Sequence, residues 1–205
     1  MPDNYTSIRI GNDVYVHCKQ DKTDECTICC AGMIIARQKG RFVPRSELRA
    51  LSQNCGPEGS GYRPSAKDAG APVSDPRMAS MASIMVGHLG TPGAGTVAVD
   101  NLPAILGKYS LTTDAGKGDS GVVAGKLREA VARGRIASAS VFWSGGGGHS
   151  IVIAGKTKVK GTDCYIILDP GHNAELVTTT AVGATHYNAP YGGSGEFGQW
   201  IIVTS

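Results

Sequence analysis

The sequence predicts a single domain of the α+β class, with helices in its first half and an antiparallel sheet in its second half. Apolar residues recur at helical spacing as far as about residue 133, and from Arg135 onward their period changes to two. The links between the predicted strands are short and of the hairpin kind, which joins antiparallel neighbours. With 205 residues the chain is long enough to bury a proper core, divided between two lobes.

Composition and charge limit the classes of function. A hydrophobic share of 41% and a charged share of 18% are ordinary for a globular protein. The net charge of +3, spread over scattered lysines and arginines, gives no argument for nucleic acid or a membrane as a partner. The N-terminus is polar, and no apolar run approaches the roughly 18 residues that span a bilayer. We therefore expect a monomer that is cytoplasmic, secreted without a signal peptide, or freed of a leader.

A hairpin and an apolar helix are predicted near the N-terminus. Residues 8–16 alternate in polarity about a glycine-containing turn, which indicates a short hairpin. An apolar helix then runs from about Glu25 to Arg37 or Gln38, and Gly40 ends it. Because this helix is apolar on several sides, we expect it at the centre of the domain.

Local signals predict the remaining elements. Caps and apolar periodicity predict helices over residues 44–51 (capped by Ser46), 78–89, 102–108 (capped by Asn101) and 122–133 (introduced by Asp119 or Ser120). Alternating apolar residues predict strands over residues 136–143, 150–154, 164–168, 175–180 and 199–204. Residues 54–76 are rich in Gly, Pro, Ser and Lys and have no periodicity, which indicates a long loop.

Cys26 opens the apolar helix and is a candidate nucleophile. Thr23 or Asp24 can cap this helix, which places Cys26 in the first turn, where the helix dipole favours thiolate over thiol. Gln20 precedes the cysteine by six residues. Its side-chain N–H can donate a hydrogen bond to an oxyanion that develops beside the sulfur. This stretch therefore supplies a nucleophile and an electrophilic stabiliser, and it lacks a base.

A candidate base and its orienting residue come from the strand-rich half. His149 follows the glycine run at 145–148 and starts one predicted strand, while Asp169 ends the next strand. If these strands form an antiparallel pair, both residues lie at the same end of the sheet. Asp169 can then fix the tautomer of His149, as the third member of a catalytic triad does.

At these residues the sequence resembles the papain-like cysteine peptidases. The similarity is to bacterial branches of the family, namely the leader-processing peptidases of bacteriocin exporters and the papain-like effector proteases of plant-associated bacteria. Their motif reads Gln, five residues, Cys, and later Gly-His, a strand and Asp-Pro. The match runs from about Tyr15 to Ala36 and from about Val122 to Gly171, and it is loose elsewhere.

The resemblance implies a role for each site residue. Cys26 would be the nucleophile, His149 the base and Asp169 the orienting residue. Gln20 would be the oxyanion donor. Papain itself has Trp directly after the cysteine and Asn as the third residue. Thr27 therefore changes a subsite wall, whereas Asp169 agrees with the bacterial branches.

The resemblance also implies a papain-like architecture. A helical lobe of about residues 20–134, with the catalytic helix at its centre, would pack on an antiparallel sheet lobe of about residues 135–205. The hairpin at 8–16 is a candidate addition to that sheet. Substrate specificity would come from cleft walls, for which the candidates are residues 54–76, 91–100 and 183–198.

The predicted function is that of a cysteine protease, which hydrolyses peptide bonds of a protein or peptide substrate without a cofactor or a metal. The same groups also serve thiol amidases, deamidases and acyl transferases of the transglutaminase type. A third alternative is a papain-like module that has lost catalysis and binds a partner through its cleft.

Other interpretations of the cysteines carry less weight. Cys26-x-x-Cys29, with His17 and Cys18 nearby, could be argued as a zinc site, but no second paired cluster completes the pattern. Cys29 and Cys30 better fit the role of small buried hydrophobes. Without a signal peptide, we expect most of the six cysteines to be reduced and buried.

Other residues compete for places in the site. For His17 we expect a surface or packing role rather than a part in the oxyanion site. For His172 we expect an exposed loop position, with a place in the wall of the cleft as the alternative. Trp143 and Trp200 either shield the His–Asp pair from water or pack in the core.

Overall fold

A computed structural model of the chain describes residues 4–21, 25–53, 101–172 and 178–205. Several predicted features lie outside these residues, namely the caps Thr23 and Asp24, the loop at 54–76, the helix at 78–89 and the cleft wall at 91–100. Within the described ranges, no helix is both long enough and apolar enough to cross a membrane.

The described residues form an α+β fold. Its helices are α1 (Cys26–Lys39), α2 (Arg45–Gln53), α3 (Leu102–Gly107) and α4 (Ser120–Ala132). Its strands are β1 (Tyr5–Ile10), β2 (Asp13–Cys18), β3 (Thr113–Gly118), β4 (Ile136–Trp143), β5 (Gly148–Val159), β6 (Thr162–Leu168), β7 (Thr178–Ala181), β8 (His186–Asn188) and β9 (Ser194–Thr204). The strands pair only in the antiparallel sense across the described residues.

The strands divide into two sheets. Strands β3 to β9 form a seven-stranded sheet of order β3-β9-β4-β5-β6-β7, and β8 pairs with β9 beside this path. The hairpin β1–β2 forms a two-stranded sheet of its own, so its proposed addition to the large sheet is wrong. Its inner tyrosines, Tyr5 and Tyr15, instead pack into the core around α1.

Helix α1 lies at the centre of the domain, as predicted. Every residue from Cys26 to Ala36 is buried. Each fully buried Ile or Met side chain contributes about 1.5–3 kcal/mol relative to an exposed one. The helix ends at Gly40, whose φ of 64° is left-handed and whose N–H bonds to the carbonyl of Ala36.

The large sheet carries helices on both faces. Along β5 the side chains alternate, so that Val152 packs with α1 while Ile151 and Ile153 pack with α4. Helix α4 therefore lies across the sheet from α1, although the sequence suggested a single helical lobe for both. Asp119 caps α4 as predicted, since its Oδ1 accepts a hydrogen bond from the N–H of Val122 at 2.9 Å.

One local prediction is wrong, and two strands were not predicted. Ser46 lies inside α2, which begins at Arg45, and is not its cap. Strand β3 was not predicted, because its sequence of mixed charged and glycine residues lacks apolar alternation, and its pairing with β9 creates it. Strand β8 was missed because it is only three residues long.

Candidate active site

The three predicted triad residues come from three different elements. Cys26 is the first residue of α1, His149 is the second residue of β5, and Asp169 directly follows β6. Strands β5 and β6 pair in the antiparallel sense, and α1 packs against β5. His149 and Asp169 consequently lie at the same end of the sheet, where the N-terminus of α1 meets them.

His149 and Asp169 are in direct contact. Nε2 of His149 lies 2.6 Å from Oδ1 of Asp169, and the two residues are only 8% and 2% exposed. The same oxygen accepts a second hydrogen bond, 2.8 Å long, from the backbone N–H of Gly171. Because the carboxylate occupies Nε2, the ring nitrogen left for a contact with Cys26 is Nδ1.

The thiol of Cys26 is stabilised in its ionised form. Burial is the largest single influence and raises the thiol pKa, but a hydrogen bond with His149 and the positive charge of that ring act in the opposite sense. Hydrogen bonds from the backbone N–H of Ser150 and from the side chain of Thr27 also favour the thiolate, so the pKa of Cys26 is lowered overall. Cys26 is 6% exposed, so little water competes with these contacts.

The pKa of His149 shifts in the opposite direction to that of Cys26. Burial lowers its pKa, but the hydrogen bonds to Asp169 and Cys26 and the negative charges of both groups raise the pKa to about 10. A lowered thiol pKa beside a raised imidazole pKa favours a thiolate–imidazolium pair. That pair is the reactive form of a cysteine nucleophile.

Two tyrosine hydroxyls bind the second oxygen of Asp169. Tyr187 donates to Oδ2 over 2.7 Å and Tyr191 over 3.1 Å. Burial raises the pKa of Asp169, but contacts with His149, followed by those with Tyr187 and Gly171, lower it overall. The sequence did not single out these tyrosines, because they lie on short β8 and in the turn after it, where no periodicity marks them.

Aromatic rings surround the His–Asp pair. Trp143 stacks on His149 with ring centroids 5.4 Å apart, so it shields the imidazole. Tyr191 packs edge-on against Trp143, and His172 stacks on Tyr191 at 5.7 Å. His172, expected in an exposed position, is therefore half-buried. The side chain of Trp200 lies outside the described part of the chain.

Two hydrogen bonds join the segment before Cys26 to the loop at Asp169. The backbone N–H of Gln20 donates to the carbonyl of Pro170 over 3.0 Å. Nε2 of His17 donates to the carbonyl of Asp169 over 2.7 Å. His17 is fully buried, which agrees with a packing role and excludes the surface position also considered for it.

The protonation of His17 follows from its partner. A carbonyl can only accept, so Nε2 carries the hydrogen, and burial lowers the pKa of the ring despite this hydrogen bond. The neutral ring leaves Nδ1 as a buried acceptor, and Oε1 of Gln20 is a second buried acceptor without a described partner. The backbone bond to Pro170 keeps Gln20, the predicted oxyanion donor, beside the His–Asp pair.

An ion-pair cluster joins Asp21 and Glu25, the described residues between Gln20 and Cys26, to α2. The carboxylate of Glu25 accepts hydrogen bonds from Arg45 at 2.8 Å and from Arg49, both on α2. Arg45 also pairs with Asp21, whose backbone N–H donates to Glu25 at 3.1 Å. No sequence pattern indicated this cluster, because charges on a short helix do not show which segment of the chain they face.

The remaining thiols differ from Cys26. The five cysteines within the described ranges are all buried and free, as expected. The pKa of Cys29 is raised, first by a hydrogen bond with Cys18 and then by burial, and burial raises the pKa of Cys30 well above its usual range. Cys18 and Cys29 thus contact each other, while Cys26 contacts His149. Among the described residues, no three His, Cys, Asp or Glu side chains form a group that could hold a metal ion.

Thr27, predicted to change a subsite wall, packs between α1 and the sheet. It is buried, and its hydroxyl lies 3.1 Å from that of Ser150 on β5. The residue that follows Cys26 therefore joins α1 to β5.

A scan against models of known protein families found no match, and neither did a search of curated protein sequences. The function of this chain therefore has to be inferred from the geometry of the site.

Proposed function

We propose that this protein is a papain-like cysteine peptidase, which hydrolyses peptide bonds through Cys26, His149 and Asp169. The observation that carries the proposal is the 2.6 Å hydrogen bond between His149 and Asp169, beside Cys26 at the N-terminus of α1, whose thiol and the His149 imidazole shift each other's pKa. Residues from three separate elements converge there, and burial alone would disfavour their charges. Such a cluster of perturbed groups is characteristic of catalytic sites.

In the first half of the reaction, the Cys26 thiolate attacks the carbonyl carbon of the substrate. A carbon–sulfur bond forms, and the electron pair of the C=O bond moves to the oxygen. The intermediate then collapses as His149 transfers its proton to the leaving nitrogen, which departs as an amine. The acyl group remains on the sulfur.

In the second half, His149 accepts a proton from water as the water oxygen attacks the thioester. The acid product leaves, and the sulfur and imidazole return to the thiolate–imidazolium pair. Asp169 keeps the ring oriented and stabilises its positive form in both halves.

The developing oxyanion needs donors close to the sulfur. The backbone N–H of Cys26 lies at the N-terminus of α1, where amide groups have no partner within the helix. The side-chain N–H of Gln20 is the second donor in this proposal. Its anchor on Pro170 supports the assignment, because it joins the donor segment to the loop that carries Asp169.

The same geometry also serves other amide chemistry. A thiolate, an imidazolium and an oxyanion donor suffice for deamidation of glutamine or for transfer of an acyl group to an amine. These activities differ in their products: a new amino terminus for a peptidase, ammonia for a deamidase, and an isopeptide bond for a transferase.

One observation favours a second candidate, a papain-like binding module without turnover. Cys26 is only 6% exposed, which restricts the approach of a substrate carbonyl to the sulfur. In such a module the thiolate would be protected, and its alkylation would be as slow as that of the deeper cysteines.

A cleavage profile on a peptide library tests the proposal. Wild-type protein should generate new amino termini, and Cys26→Ala should generate none. Cys30→Ala is the matched control, because it removes another buried thiol of the same helix and should retain cleavage. A Cys26→Ala protein that cleaves like wild type would refute the peptidase assignment.

A further inference from the structure

The carboxylate of Asp169 accepts hydrogen bonds from four donors, and only one of these is the catalytic base. Oδ1 is shared by His149 and the N–H of Gly171, while Oδ2 takes the hydroxyls of Tyr187 and Tyr191. A buried carboxylate with an unsatisfied oxygen is costly. The two hydroxyls therefore supply what the oxygen away from His149 requires.

We propose that Tyr187 and Tyr191 are positioning residues, which act through Asp169 by fixing its carboxylate in the orientation that meets His149. The inference rests on the peptidase function proposed above. It adds two residues to the machinery that no motif marks.

The orientation argument follows from geometry. A carboxylate held through one oxygen alone can rotate about its Cβ–Cγ bond and exchange that oxygen with the other. With Oδ2 tied to two hydroxyls and Oδ1 to the N–H of Gly171, rotation would break three hydrogen bonds besides the one to His149. The Nε2–Oδ1 contact is consequently preorganised before any substrate arrives.

The same tyrosines also hold the ring that covers the base. Tyr187 and Tyr191 pack against Trp143 with centroids 6.1 Å and 6.3 Å away, and Trp143 stacks on His149. Tyr187 and Tyr191 therefore support His149 in two ways: through Asp169, which hydrogen-bonds to its ring nitrogen, and through Trp143, which stacks on its ring face.

The two tyrosines are not equivalent. Tyr187 is fully buried with the shorter hydrogen bond of 2.7 Å, whereas Tyr191 is 48% exposed with a bond of 3.1 Å. Water reaches the half-exposed Tyr191 more readily than the buried Tyr187, so it can more easily replace the hydroxyl of Tyr191. Removing the Tyr187 hydroxyl should therefore have the larger effect.

A purely structural role is the alternative, and Tyr165 provides the matched control. It is another fully buried tyrosine of the same core, and its hydroxyl accepts a hydrogen bond from the N–H of Gly183 instead of contacting Asp169. Tyr165→Phe removes a buried hydroxyl without changing the carboxylate.

The test is the titration of Asp169 by NMR, with aspartate 13C-labelled at its carboxyl carbon and the signal assigned with Asp169→Asn. Tyr187→Phe should raise the pKa of Asp169 by about one pH unit, since a hydrogen bond to a charged group stabilises the ionised form by about the free energy of such a shift. Tyr191→Phe should raise the pKa of Asp169 by less, and the double variant should raise it by more than either single variant. Tyr165→Phe should leave this pKa unchanged. The alkylation rate of Cys26 by iodoacetamide at pH 7 should fall in the same order.

An unchanged Asp169 titration in a folded double variant overturns the inference, as does a shift of equal size in Tyr165→Phe. If Tyr187→Phe does not fold, the half-exposed Tyr191→Phe decides by the same criterion. Failure of the peptidase proposal is distinguishable, because it would appear as wild-type protein that generates no new amino termini from the peptide library, whatever Asp169 does.

Discussion

Nε2 of His149 lies 2.6 Å from Oδ1 of Asp169, in an environment that leaves both residues almost fully buried. Burial lowers the pKa of His149, but contacts with Asp169 and Cys26 raise it to about 10. The imidazolium should therefore persist through neutral pH and lose its proton only in alkaline solution.

Replacing the carboxylate tests this shift. Asp169→Asn keeps the shape of the side chain and removes its charge, so the pKa of His149 should fall by one unit or more, on the order expected for a close charge partner. The measurement is a 15N NMR titration of the imidazole. Asp163→Asn, at an exposed acid after the β5–β6 turn, should leave the titration unchanged. An imidazole that titrates identically in Asp169→Asn contradicts the role of the carboxylate.

Gln20→Ala should separate oxyanion stabilisation from nucleophile activation. Alkylation by iodoacetamide develops no oxyanion, whereas peptide hydrolysis does. The turnover number should therefore fall by about 10²–10³, while the alkylation rate of Cys26 stays close to that of wild type. Parallel losses in both rates would show that Gln20 acts on the thiol and not on the oxyanion.

His17 links β2 to the acid loop through the carbonyl of Asp169. His17→Leu removes the donor and should cost about 1–3 kcal/mol of unfolding free energy together with part of the activity. His17→Gln retains an N–H at the end of a similar side chain and should recover part of both. Urea unfolding and peptide turnover measure the two effects, and equal losses in the Leu and Gln variants would argue against the hydrogen bond.

Glu25 should make stability depend on pH. Burial raises its pKa, but the N–H of Asp21 and the charges of Arg45 and Arg49 lower it overall. A depressed folded-state pKa gives stability that is present above the unfolded value of about 4.3 and is lost as the pH falls through the folded value.

Glu25→Gln should consequently lower Tm at pH 7, and the difference from wild type should shrink in acid. Glu47→Gln is the control, since Glu47 pairs with Arg41 at an exposed position, where an ion pair contributes about 0–1 kcal/mol. A Tm difference that stays constant down to pH 3 would contradict an ionised Glu25.

The sequence was sufficient for the main elements because their signals are local. Strand β4 has the same first and last residues as the predicted strand. Helix α1 begins and ends within about two residues of the predicted bounds. The contact of His149 with Asp169 could also be predicted, because a hairpin places the start of one strand beside the end of the next.

The residues that support the His–Asp pair could not be predicted from the sequence in this way. Tyr187 reaches Asp169 only because β8 pairs with β9 across the sheet, and His17 does so only because β2 lies against the acid loop. Neither contact is marked in the sequence by a periodic pattern or by a characteristic spacing between residues. Long-range packing creates them, and sequence patterns record mainly neighbours along the chain.

The most direct test is site-resolved alkylation with iodoacetamide at pH 6, followed by mass spectrometry of each cysteine peptide in wild type and in His149→Ala. A thiolate–imidazolium pair predicts that Cys26 reacts much faster than Cys29 or Cys30, and that this preference disappears without His149. Slow and equal reaction of all three cysteines in wild type would contradict the account.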